Sequence, residues 1–116
     1  MQNRPQFALG RLKTGEMNKG ETAYAAELER QKASGEVLWW KFEGLKLRLA
    51  DNTFLTVDFA VMVKDGTLEM HEVKGGFWQD DARAKTKIAA AMYPFRFIAL
   101  RPEAKKRGGG WIVEEF

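Results

Sequence analysis

Cysteine is absent from this chain, and histidine occurs once, as His71. Without thiols there is no disulfide framework, zinc ribbon or cysteine nucleophile; the absence fits a reducing compartment without demanding one. A lone imidazole sets aside His-rich metal centres. Long apolar runs are missing too, and those present are far too short to span a bilayer. The start, "MQNRPQFALGRLKTGEMNKG", lacks an apolar segment followed by a small-residue cleavage site, so no signal peptide is expected and cytoplasmic residence follows. What remains for chemistry is carboxylates, lysines and a hard metal ion.

At 116 residues there is room for one modest core and no second domain. Hydrophobic residues make up 45% and charged residues 30%, the balance of a globular protein without a membrane span. A formal net charge of +3 suits an anionic partner such as nucleic acid, though the excess is mild. Residues 1–19 read as a basic arm (Arg4, Arg11, Lys13, Lys19), and 20–116 as a single domain.

Along the chain, Tyr24, Ala25, Leu28 and Gln31 recur at helical spacing, which predicts a helix from Glu21 to about Ser34, stopped by Gly35. "EVLWWKFE" and "LKLRLA" read as strands around Gly44, and Asp51-Asn52 as a turn. The run "FLTVDFAVMV" (54–63) is apolar on both faces and predicts one central strand, joined through the hairpin signal "KDGT" to "LEMHEVKG". A second helix is expected from about Gln79 to Tyr93, then the strands "FRFIAL" and "WIVEEF". The whole is an α/β domain with a mixed sheet flanked by helices.

Side chains alternate along a strand, so Leu68, Met70, Glu72 and Lys74 share one face and Glu69, His71 and Val73 the other. Glu72 and Lys74 therefore continue an apolar row. Burying charge there requires partners. Asp58, in the apolar run "LTVDFAVMV", is the natural one, since the hairpin makes its strand a neighbour of the next. Two converging carboxylates repel unless a cation lies between them, and oxygen donors favour Mg²⁺ or Mn²⁺. A lysine two residues on can hold a water or neutralise a phosphoryl transition state. These are parts for hydrolysing a phosphodiester.

Each residue also has a plainer reading. Asp58 could be a satisfied structural carboxylate, and Glu72 with Lys74 an exposed cross-strand ion pair. Glu-x-Lys alone says little, since "EAK" at 103–105 matches it. Glu21 lies on the helical face of Tyr24 and Leu28, as a third metal ligand would, yet Asn18-x-x-Glu21 is also a capping box. Trp39, Trp40, Phe77 and Trp78 could stack on bases or fill a core. Arg83, Lys85 and Lys87 could line a phosphate path or be a solvated helix face. Lys19 in the arm, with Lys105, Lys106 and Arg107 in "KKRGGG", are candidate backbone contacts.

These residues resemble the PD-(D/E)XK nuclease superfamily. "TVDF" stands where that family often has Pro-Asp, and "EVK" is its Glu-x-Lys; Val57 departs from the proline. "NKGETAYAAEL", "LADNTFLTVDFAVM" and "HEVKGGFWQDDARAKTKIAAAMYPFRFIAL" are similar to a group of small phage-encoded members with junction-resolving or endonuclease activity suspected, and the likeness covers about residues 18–100. The resemblance implies a restriction-endonuclease-like core in the order α-β-β-β-α-β. It also implies Asp58, Glu72, the carbonyl of Val73 and Glu21 around Mg²⁺ or Mn²⁺, with Lys74 orienting the attacking water. DNA, branched or not, is the implied substrate, and a homodimer would cut both strands. The alternative is a non-catalytic nucleic-acid-binding or structural module that retains the fold.

Overall fold

The computed structural model describes residues 15–75 and 80–116; Phe77, Trp78, Arg4, Arg11 and Lys13 lie outside the described residues. Helix α1 runs Lys19–Ala33. It starts on a complete capping box, in which Glu21 N–H donates to Asn18 Oδ1 (2.8 Å) and Asn18 N–H donates to Glu21 Oε1 (2.9 Å). It ends in a Schellman motif: Glu36 N–H donates to Gln31 O and Gly35 N–H to Lys32 O, with Gly35 at φ +89°. The left-handed φ is what demands glycine there. Tyr24 and Leu28, one turn apart, are the helix's buried residues.

Strands β1 (Val37–Phe42), β4 (Phe59–Val63), β5 (Leu68–Val73), β6 (Arg96–Pro102) and β7 (Trp111–Glu115) form one mixed sheet in the order β1-β4-β5-β6-β7. Every neighbouring pair is antiparallel except β5 and β6, which are parallel and joined by helix α2 (Asp80–Met92). That crossover makes the fold α/β, since parallel neighbours need a long connection. Strands β2 (Lys46–Ala50) and β3 (Thr53–Thr56) pair only with each other, as a separate ribbon against α2.

Two cores sandwich the sheet. Tyr24, Leu28, Phe59, Val61, Val73, Ile98 and Leu100 pack on the α1 side. Leu47, Leu49, Leu55, Val57, Ala60, Met70, Ala89 and Phe97 pack between the sheet, α2 and the ribbon.

The expected single strand at 54–63 is the main departure. It breaks at Val57-Asp58 into β3 and β4, so five strands precede α2. In one continuous strand 55, 57 and 59 would share a face. Here Leu55 and Val57 enter the α2-side core and Phe59 the α1-side core, so the phase flips at Asp58. The break is held on both sides: Val57 N–H donates to Leu45 O (3.0 Å) and Glu43 N–H to Asp58 O (2.8 Å). A run apolar on both faces hides such a flip, because each phase of the alternation looks equally buried.

The aromatics divide. Trp40 packs partly against the α1-side core, where it lies beside Phe59 and donates to Glu29 (2.7 Å), whereas Trp39 is exposed next to an irregularity in β1.

Candidate active site

The two carboxylates come together where the ribbon passes into the sheet. Asp58 stands at the break before β4 and Glu72 at the end of β5, and each backbone holds the other's side chain. Asp58 N–H donates to Glu72 Oε2 (2.8 Å), and Val73 N–H donates to Asp58 Oδ2 (2.9 Å). The reciprocal pair uses one oxygen of each carboxylate. Asp58 Oδ1 accepts no hydrogen bond among the described residues. Glu72 Oε1 faces Lys74 Nζ at 3.6 Å.

Glu72 is 3% exposed, which rules out the reading of Glu72 and Lys74 as a surface ion pair. The alternation on β5 also holds: Met70 enters the α2-side core, Glu72 opens on that side, and Val73 enters the α1-side core. Burial pushes the Asp58 carboxyl up, with the Val73 N–H and Lys74 pulling it back and the charges of Glu21 and Glu43 adding to the rise. Burial raises Glu72 as well, and the Asp58 charge raises it further. Two desolvated carboxylates in mutual repulsion form a site that gains from a cation. Asp58 Oδ1 is left over and, among the described residues, Glu72 Oε1 is met only by Lys74 at 3.6 Å, so these are the two oxygens that could hold a hard cation that keeps several of its waters. Among the described residues, no three His, Asp or Glu side chains converge closely enough to form a larger cage.

The pair opens into a cleft of about 580 Å³ between the ribbon and α2, lined also by Thr56, Asp81, Lys85 and Ile88. Lys85 reaches across to donate to Phe54 O (3.3 Å), tying α2 to the ribbon. Glu21 is committed to the capping box, although its charge is felt at Asp58. The remaining basic residues lie apart from the pair. Arg83 grips both carboxylate oxygens of Glu114 on β7, and Arg83 and Lys87, one helical turn apart, line a cavity against β7. Lys19 is exposed at the start of α1, and Lys105, Lys106 and Arg107 form an exposed 3₁₀ turn.

Sequence reasoning missed two features. His71 is buried on the opposite face, bridging Tyr24 Oη (Nδ1, 2.6 Å) and Glu69 Oε1 (Nε2, 2.9 Å). Glu69 in turn accepts from Arg96 (3.0 Å), and His71 and Arg96 hold its carboxyl below the usual range. The strict alternation of β5 already set His71 and Glu69 on one face, but their partners come from α1 and β6. The second is Arg101, which lines a cavity with Lys74 and becomes visible only through the pairing of β5 with β6.

No known protein family, curated protein or solved structure matches the chain.

Proposed function

We propose that the protein is a Mg²⁺- or Mn²⁺-dependent endonuclease of PD-(D/E)XK type that hydrolyses phosphodiester bonds in DNA, branched or junction DNA included. In this reading the sheet with its two helices is a restriction-endonuclease-like core. The observation that carries it is the reciprocal Asp58–Glu72 pair, buried at the end of β5 with Lys74 3.6 Å from Glu72. Asp58, Glu72 and the Val73 carbonyl would hold the cation. Bound there, such a cation would supply Lewis acidity towards a phosphate oxygen and lower the pKa of a water.

The chain's own contribution is positional. Lys74 Nζ donates a hydrogen bond to the attacking water and so aims it at phosphorus. The water oxygen bonds to phosphorus as the opposite P–O bond breaks; the water's proton passes to solvent, and the leaving oxygen takes a proton from solvent. One site per chain calls for two copies to cut both strands of a duplex. A homodimer in a phage- or prophage-infected cell belongs to this reading.

A second reading has an observation of its own. No third carboxylate joins the pair among the described residues, as a non-catalytic nucleic-acid-binding or structural module would allow.

The test is cleavage of supercoiled plasmid and of a four-way junction with Mg²⁺, comparing wild type with Asp58→Ala and Lys74→Ala. Nicking by wild type, lost in both variants, is the expected result. Equal nicking in all three would mark a contaminant and remove the site assignment, whereas tight binding without cleavage by wild type favours the non-catalytic module.

A further inference from the structure

We propose that the cavity on the far side of Lys74 is a second phosphate subsite, with Arg101 as its anion-binding residue. It rests on the strand-cleaving reading above and adds to it where the substrate strand runs.

The cavity measures about 210 Å³ and is lined by Lys74, Ala99, Arg101, Ile112 and Glu114, among others. Lys74 also lines the cleft that holds Asp58 and Glu72, so the two spaces meet at that side chain. The register explains the meeting. Glu72 pairs with Ala99 and Val73 with Leu100 across the parallel strands β5 and β6, and Lys74 N–H donates to Leu100 O (2.8 Å). Lys74 and Arg101 thus stand side by side at the carboxyl ends of two parallel strands, where open α/β sheets place their ligands.

Charge and chemistry agree with a phosphate there. Among the described residues Arg101 forms no salt bridge, and the carboxylate that feels its charge, Glu114, is bonded to Arg83. This differs from Arg30, Arg48, Arg83 and Arg96, each of which is paired. The one acidic residue on the wall, Glu114, has both oxygens held by Arg83, which keeps its carboxyl below the usual range with the charges of Arg101 and Lys87 adding to the effect. Ala99 and Ile112 offer no polar side-chain group, which leaves Lys74 and the Arg101 guanidinium as the cationic lining of the cavity. A guanidinium grips the oxygens of a phosphate in bidentate fashion. A strand with one phosphate at Asp58 and Glu72 passes Lys74 and sets the next phosphate at Arg101.

The test is fluorescence anisotropy with a short single-stranded oligonucleotide, Ca²⁺ replacing Mg²⁺, over a range of salt concentrations. Arg101→Ala should weaken binding about tenfold. It should also lower the slope of log K against log salt by about 0.7, the loss of one phosphate contact to a single strand. Arg101→Lys should keep the slope and recover part of the affinity. An oligonucleotide with one neutral methylphosphonate linkage beside the scissile position should bind wild type more weakly and Arg101→Ala unchanged. Arg101 is exposed, and an unchanged circular dichroism melt will verify the fold. Equal affinity and slope in wild type and Arg101→Ala, with cleavage intact, would overturn the subsite and leave the nuclease reading standing. If wild type neither binds nor cleaves, both fall together.

Discussion

Asp58 and Glu72 are an expensive pair to keep in a small domain. Each carboxylate is desolvated and raised by burial, and Glu72 is raised further by its neighbour. Two backbone N–H bonds and one lysine answer only part of that cost. In the proposed nuclease the carboxyl is retained for the cation, and the substitution that separates function from stability is Asp58→Asn. An asparagine keeps an oxygen to accept from Val73 N–H and removes one charge from the repulsion. It should therefore raise the stability of the metal-free protein by about 1 kcal/mol while abolishing cleavage. Urea melts without metal, together with the plasmid assay, check both halves. A clear loss of stability would mean that the Asp58 charge serves the fold.

At the scale of elements, Glu21 and Val57 show what local sequence specifies and what it leaves open. The helix α1 was legible almost to its ends, because the capping box and the Gly35 stop are local chemistry. So was the hairpin at 64–67, where Thr67 N–H donates to Asp65 and Gly66 takes φ +90°. The facing of Glu72 followed from alternation alone. The break at 57–58 was not legible, since it depends on which of two cores each side chain enters. The same break gives Val57 a role that proline could not fill: its N–H donates to Leu45 O. Glu21 carries the element-scale prediction. Glutamine preserves a capping box, so Glu21→Gln should melt within about 0.5 kcal/mol of wild type and keep its cleavage rate. A loss of cleavage with an unchanged melt would mean that Glu21 leaves the cap to join the metal site.

For the whole molecule, the coupling of protonation to the fold is a property that no single contact displays. Asp58 and Glu72 hold a proton more tightly in the folded chain than an ordinary carboxyl does in the unfolded one, since burial disfavours their charged forms. Their contribution to stability is then fullest below the ordinary carboxylate range and is lost as pH rises through the raised folded values. Glu69 runs the other way. His71 and Arg96 hold it low, so its contribution is present above the ordinary carboxylate range and lost as pH falls through its lowered value. The two windows are therefore separate, the Glu69 loss lying on the acid side. A divalent cation held as proposed would need the pair ionised, so its binding would compete with the protons and stabilise more as pH rises. The metal-free melting temperature should fall between about pH 5 and about pH 8, and Mg²⁺ should raise it more at the upper end than at the lower. Glu72→Gln should flatten both dependences, because one carboxyl of the pair no longer titrates. Melts at matched ionic strength, with Mg²⁺ against K⁺, separate site binding from screening. A Mg²⁺ effect equal at both pH values, or preserved in Glu72→Gln, would show that the cation binds elsewhere on the molecule.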